Sequence, residues 1–226
     1  MIRAAIIVAG GSGSRMGAPL AKQFIPLGGV PILMHTLRAF HAFDASMQLI
    51  LVLPEKDKEF WEDLCRQHQF RLPHQVVAGG QSRFQSVRNG LASVREERTL
   101  VAIHDGVRPF VAQEVIRQSF EEADRSGSAI PVVPLKDSLR KVEADGQSVF
   151  QDRQAFRLVQ TPQTFQVARI KKAFLVAESA AFTDDATVYE HQGWQVNLIS
   201  GDPNNIKITT PEDLRYAEFL IGSRIV

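Results

Sequence analysis

Residues 4–17 read AAIIVAGGSGSRMG, and this stretch decides the fold. Ala4–Ala9 is an unbroken apolar run with a β-branched centre, the pattern of a strand covered on both faces. It ends directly in the glycine-rich segment Ala9–Gly17. A buried parallel strand that stops in such a loop presents backbone N–H groups at the carboxyl edge of a sheet, where α/β proteins bind ligands. Glycines admit positive φ and close approach, so the loop is suited to cradling an anion.

Working outward, the same pattern repeats. Leu49–Leu53, Leu100–Ile103 and Ile130–Val133 are further apolar runs of strand length. Amphipathic helical patterns lie between them: Ile32, Leu33, Leu37 and Phe40; Phe60, Leu64 and Cys65; Phe84, Val87, Leu91 and Val94; Val115, Ile116, Ser119 and Phe120. Strands that alternate with helices predict a Rossmann-like α/β fold, a mostly parallel sheet flanked by helices with right-handed crossovers. After Pro134 the habit changes. Residues 135–155 alternate charged and apolar positions around Asp145-Gly146, a hairpin signature. A polar two-stranded ribbon is marginal alone, so the segment is expected to project as an arm against a second subunit, with an edge hairpin on the parent sheet as the other reading. Beyond it the expectations are a helix near 170–181, a helix capped by Thr183-Asp184-Asp185, a strand over 195–199, and a last helix opened by Thr210-Pro211-Glu212-Asp213.

Composition narrows the function. A chain of 226 residues with 44% hydrophobic and 23% charged residues fits one sizeable domain, here taken as 1–226, and excludes a disordered tail or a coiled coil. Its 26 basic and 25 acidic residues leave no electrostatic case for nucleic-acid binding. The single cysteine, Cys65, excludes a disulfide framework and a thiolate zinc cluster. No run reaches the roughly 18 apolar residues of a membrane helix. The N-terminal run lacks a cleavage pattern and meets Arg15 and Lys22 at once, so it reads as a strand rather than a signal peptide. The expected location is the cytoplasm.

Three loop chemistries compete for Ala9–Gly17. A Walker A loop needs GxxxxGK[ST], and no lysine follows a glycine at that spacing. A dinucleotide fingerprint needs GxGxxG. Here Gly11, Gly13 and Gly17 are one residue too long, and no acid stands at the expected distance. The third reading uses what the others leave over: Arg15 within the loop and Lys22 in AKQF beside it, two cations suited to a polyphosphate.

At this point GGSGSRMG followed by KQF resembles the signature of nucleotidyltransferases. With HDGVRPF (104–110), DR (152–153), TPQ (161–163), TDDA (183–186) and NIKITTPEDL (205–214) following in order, the chain resembles the 2-C-methyl-D-erythritol 4-phosphate cytidylyltransferase family of the non-mevalonate isoprenoid pathway from about Ala4 to Phe219. The resemblance implies CTP and a polyol phosphate as substrates, magnesium as cofactor and a homodimer joined through the arm. Arg15, Lys22 and Lys207 fall on the family's catalytic cations. Ala9, Gly10, Gly11, Gly13, Gly79, Gly80, Ser86 and Asp105 fall on nucleotide positions, and Asp105 is also the expected metal ligand. Arg108, Ser138, Arg153, Thr161 and Thr183 fall on positions for the second substrate, Arg153 coming from the neighbouring subunit. Magnesium prefers oxygen, so His104 reads as a packed neighbour rather than a ligand. Three positions depart from some relatives: Asn204 stands for an aspartate, which leaves magnesium either to keep more waters or to recruit Asp202; Gln81 stands for an acid; Ser138 stands for a threonine. A ribitol 5-phosphate cytidylyltransferase shares nearly all these motifs. An NAD-dependent oxidoreductase and an inactive nucleotide-binding regulator are the more distant readings.

Overall fold

The computed structural model describes residues 2–10, 20–94 and 99–223. Gly11, Gly13 and Arg15 therefore lie outside the described residues. The strands are β1 (Ile2–Val8), β2 (Pro26–Leu27), β3 (Val30–Pro31), β4 (Gln48–Leu53), β5 (Gln75–Ala78), β6 (Thr99–Asp105), β7 (Ser128–Pro134), β8 (Leu139–Val142), β9 (Ser148–Gln151), β10 (Arg157–Val159), β11 (Gln163–Gln166) and β12 (Leu198–Ser200). The helices are α1 (Ile32–Phe43), α2 (Lys58–Gln67), α3 (Arg83–Ala92), α4 (Gln113–Ser126), α5 (Val167–Ala173), α6 (Asp185–Glu190) and α7 (Pro211–Ser223).

The main sheet runs β10-β7-β11-β6-β1-β4-β5, and β12 adds to β7. The pairs β6–β1, β1–β4 and β4–β5 are parallel. β11 runs antiparallel to both β6 and β7, and β10 antiparallel to β7. The sheet is mixed but mostly parallel, as the alternating pattern predicts. The antiparallel insertion between β6 and β7 is an addition to that picture.

Side-chain alternation in β1 explains the two layers. Ala5, Ile7 and Ala9 face one cluster with Leu33, Leu37 and Phe40 of α1, Trp61 of α2, and Ile116 and Phe120 of α4. Ala4 and Ile6 face the opposite cluster with Phe84, Val87 and Leu91 of α3, Ile170 of α5, and Val188 and Tyr189 of α6. Each large apolar side chain so buried contributes about 1.5–3 kcal/mol. A third cluster joins Leu27, Val107 and Ile208 to Ala217 of α7.

Chain order sets the ligand crevice. From β1 the chain steps outward to β4 and β5, then returns to the other side of β1 as β6. The loops leaving β1 and β6 therefore part in opposite directions, and a doubly wound sheet opens its cleft at that point. Gly106 lets these two exits lie together: its N–H donates to the Val8 carbonyl at 2.9 Å. A Cβ there would stand 2.9 Å from Ala9 Cβ and 3.0 Å from a Leu33 methyl.

Residues 135–155 contain the hairpin β8–β9, paired from Leu139 with Gln151 to Val142 with Ser148. It forms its own two-stranded sheet, apart from the main one. The helix expected over 170–181 ends at Ala173. Residues 177–181 are all exposed, so no apolar side chain anchors another turn. The strand expected over 195–199 is shorter and later, as β12. The two final caps form as read: Asp184 and Thr187 make a capping box on α6, and Thr210 and Asp213 cap α7 reciprocally. Among the described residues no helix is long and apolar enough to cross a membrane.

Candidate active site

The crevice holds a cavity of about 210 Å³ lined by the exit of β1 (Ala9, Gly10), the turn Lys22–Gln23, residues 80–83 with Ser86, Asp105, Val107 and Lys207. Five segments far apart in sequence meet there. Asp105, the last residue of β6, is the one carboxylate on this wall among the described residues. Lys207 Nζ and Arg108 Nε each stand 3.1 Å from its Oδ2, and Arg83 Nε stands 3.9 Å from its Oδ1. Burial alone raises the pKa of Asp105. Lys207, then Arg83 and Arg108, outweigh that and hold it well below the usual carboxylate range.

What supports Asp105 is buried. Its N–H donates to Thr161 Oγ1 at 3.1 Å, and that hydroxyl meets His104 Nδ1 at 3.0 Å. His104 Nε2 bonds the Arg108 carbonyl at 3.0 Å. Burial holds this histidine down at about 4, so the neutral ring carries its proton on Nε2 and accepts from Thr161. Arg108 Nη1 donates to the Asn205 carbonyl at 2.8 Å, and Asn205 Nδ2 donates to the Thr161 carbonyl at 2.8 Å. The loop that carries Lys207 is thereby fastened to the β10–β11 junction.

On the facing wall the glycine pair after β5 explains itself sterically. Gly79 has no room for a side chain, since a Cβ would stand 2.9 Å from Ser86 Oγ. Ser86 is buried, and its Oγ accepts the Gly80 N–H at 3.1 Å. The hydroxyl proton is left to donate elsewhere. Lys22 opens a 3₁₀ turn whose Phe24 is buried against Phe60 and Trp61, an apolar anchor beside the cavity.

The structure thus brings Ala9, Gly10, Lys22, Gly80, Ser86, Asp105 and Lys207 to one cavity, with Gly79 and Arg108 against it. Thr161 lies beneath the wall, its hydroxyl spent on Asp105 and His104. Ser138 and Thr183 are exposed outside the cavity lining. Arg153 is exposed at the foot of the hairpin and donates to the Lys136 carbonyl. Asp202 accepts the Asn204 N–H at 2.8 Å, and Asn204 itself is exposed. Among the lining residues, sequence reasoning passed over Gln23, Ser82 and Arg83; two of these stand out. Gln23 is buried with neither amide atom partnered, and Arg83 opens α3. Both sit inside motifs read for other residues, KQF and AGGQSRFQSV.

No group of three or more His, Cys, Asp or Glu could hold an ion among the described residues. Asp105 offers one carboxylate, whose Oδ1 faces Arg83 Nε at 3.9 Å, beyond hydrogen-bond distance. That suits magnesium bound through one carboxylate with substrate phosphates and water completing the shell, its usual habit.

The doubly wound sheet and a cation-rich crevice at its switch point define the class: an α/β nucleotidyltransferase. Comparison with known proteins gives the family. The model for 2-C-methyl-D-erythritol 4-phosphate cytidylyltransferase matches residues 3–223, and the chain belongs to that family. It is 49% identical over 221 residues to the protein of that name from Phocaeicola vulgatus, covering 98% of this chain and 100% of the relative. The solved 4-diphosphocytidyl-2C-methyl-D-erythritol synthase from Anaerococcus prevotii superposes with a TM-score of 0.84 at 29% identity, covering 98% of this chain and 96% of that one. The 2-C-methyl-D-erythritol 4-phosphate cytidylyltransferase from Thermus thermophilus gives 0.80 at 32% identity, covering 97% and 98%.

Proposed function

We propose that the chain joins CTP to 2-C-methyl-D-erythritol 4-phosphate, giving the cytidine diphosphate ester and pyrophosphate. The observation that carries this reading is the gathering of Lys207, Arg108 and Arg83 on Asp105, in the cavity that Lys22 and Ser86 also line. An oxygen of the polyol phosphate attacks the α-phosphorus. The new P–O bond forms as the bond to the bridging oxygen breaks, and pyrophosphate departs with that electron pair. A phosphate monoester has its second pKa near 6, so the nucleophile arrives ionised and no side chain need remove a proton. Catalysis is then positioning and cationic stabilisation of a crowded phosphorus.

In this reading Arg15 and Lys22 grip the triphosphate and Lys207 reaches the α-phosphate from across the cleft. Ala9, Gly10, Gly11, Gly13, Gly79 and Gly80 cradle the nucleotide, and Ser86 donates to the pyrimidine carbonyl. Arg108, Ser138, Arg153, Thr161 and Thr183 serve the polyol phosphate, directly or through the groups they hold. Asp105 would hold magnesium together with phosphate oxygens. When bound, the ion neutralises charge on the phosphates.

Residues 1–226 act as one nucleotidyltransferase domain with 135–155 as a dimerisation arm. The support is exposed apolar surface on the arm and on β10: Val142 and Phe150, which share one face of the hairpin, are 69% and 66% exposed, and Leu158 and Val159, on opposite faces of β10, are 55% and 46% exposed. A second copy covering it would bring Arg153 to the partner's site. Consumption of CTP suits a cytoplasmic enzyme.

The test offers CTP, UTP or ATP with methylerythritol 4-phosphate or ribitol 5-phosphate, with and without magnesium, and follows pyrophosphate. Release with CTP and methylerythritol 4-phosphate supports the reading. Release with ribitol 5-phosphate alone overturns the substrate, and NADH oxidation without pyrophosphate overturns the class.

A further inference from the structure

Arg83 is one of the three cations gathered on Asp105, yet neither it nor Asp185 has a residue role in the reaction described above. Arg83 is the first residue of α3 and lines the cavity. Its Nη1 and Nη2 bond Oδ1 and Oδ2 of Asp185 at 2.8 and 2.6 Å, a two-pronged clasp across 102 positions of sequence. Asp185 is 0% exposed and does not line the cavity. With both Nη groups so engaged, the guanidinium turns Nε toward Asp105 Oδ1 at 3.9 Å. That edge is within Coulomb reach of charge in the cavity without being spent on a hydrogen bond to Asp105.

The clasp closes a ring. Gln163 Oε1 accepts the Ala186 N–H at 2.9 Å, and its Nε2 donates to Asp184 Oδ2 at 2.7 Å, so β11 holds the start of α6 from both sides. Two residues earlier, Thr161 takes the Asp105 N–H. The path from Asp105 through Thr161 and Gln163 to Asp185, then through Arg83 back to Asp105, surrounds one side of the crevice. A buried ion pair adds little net stability over an apolar pair of similar volume. A planar fork held at both prongs does, however, have one orientation.

We propose that Asp185 is a positioning residue for nucleotidyl transfer: it fixes the guanidinium of Arg83 over the cavity, where Arg83 acts as a further cation on the phosphates of the bound substrates. This rests on the function proposed above. Wild-type pyrophosphate release from CTP and methylerythritol 4-phosphate tests that reading first, so its failure would be seen before any variant is compared.

The experiment measures kcat and KM for Arg83→Gln, Asp185→Asn and the double variant, beside their thermal midpoints. Loss of a preorganised cation should lower kcat about 100-fold in Arg83→Gln, with a smaller loss, about tenfold, in Asp185→Asn. Since Asp185 acts only through Arg83, the double variant should fall within about threefold of Arg83→Gln alone. A larger further loss in the double variant, or wild-type kcat in both single variants, overturns the proposal. Arg83→Lys keeps the charge opposite buried Asp185 but cannot make the clasp, which guards against variants that fail to fold. It should hold a near-wild-type midpoint while kcat falls, and wild-type kcat in it is equally fatal.

Discussion

Replacing Ser86 with alanine should weaken CTP binding while leaving turnover at saturation close to wild type. The hydroxyl is buried, and one of its acceptor directions is filled by the Gly80 N–H at 3.1 Å. Its proton is therefore available to the base carbonyl in the proposed pose. Removing it loses one neutral hydrogen bond, about 0.5–1.5 kcal/mol, and leaves that carbonyl against a dry wall, a further cost of about 1–3 kcal/mol. Partial rehydration of the carbonyl brings the expected sum to about 1.5–3 kcal/mol, or about tenfold to hundredfold in Kd. Gly79→Ala should reach the same end by steric means. Its Cβ would stand 2.9 Å from Ser86 Oγ and 3.5 Å from the Leu53 carbonyl, so the hydroxyl must rotate away from both Gly80 and the base. The two variants damage one contact, and the double variant should lose no more than the worse single one. Calorimetric titration with CTP measures affinity, and initial rates at saturating CTP measure kcat. A Ser86→Ala protein that binds CTP within twofold of wild type refutes the reasoning, as does a Gly79→Ala protein that loses kcat but not affinity.

Three other outcomes follow from the same geometry. Lys22→Ala should lower kcat about 100-fold with an unchanged circular dichroism spectrum, and unchanged turnover would remove Lys22 from the catalytic set. His74 is held neutral: burial lowers its pKa below 6.5 against the Leu72 carbonyl, which favours the charged ring, and its Nε2 accepts the Trp61 indole N–H at 2.9 Å. A folded-state pKa below the unfolded value means this stability is present above pH 6.5 and is lost as pH falls below it. Urea titrations at pH 7.5 and 5.5 should show that loss, with a smaller loss in His74→Gln; equal losses in the two proteins would contradict the assignment. Phe150→Asp, on the exposed arm, should convert a dimer to monomer in sedimentation velocity and depress activity with it. A wild-type protein that is monomeric and fully active would dismiss the arm's role.

How far the site was legible depends on how the relevant residues signal themselves. β1, β4, β6 and β7 were readable because strands covered on both faces must be apolar throughout, and little else produces Leu49–Leu53 or Leu100–Ile103. β10 and β11 carried no such mark. β10 is exposed along its length, and β11 owes its burial to being slotted between β6 and β7, which no local pattern announces. The same distinction divides the site. Glycines 79 and 80 and Asp105 stand at strand ends, where topology alone gives them a purpose. Arg83 looks like any surface arginine in the first turn of a helix until Asp185 is seen 2.6 Å away.

A side chain whose role depends on a partner a hundred positions away can be placed only after the fold is complete, so it depends on the whole fold rather than on its own segment. Lys22 has the short apolar anchor of Phe24 two positions along its own segment. Arg83 needs β11 inserted, the α6 cap formed and Gln163 bonded on both sides, before Asp185 can meet it. Conditions that loosen the β11–α6 unit should therefore cost activity before they unfold the parallel strands of the core. In mild urea, with Trp194 of the α6 layer replaced by phenylalanine so that Trp61 alone reports, kcat should decline ahead of the fluorescence change, because Trp61 belongs to the opposite layer with α1, α2 and α4. Coincident transitions would mean that the two layers yield together, and that the Arg83 clasp is no weaker than the sheet on which it rests.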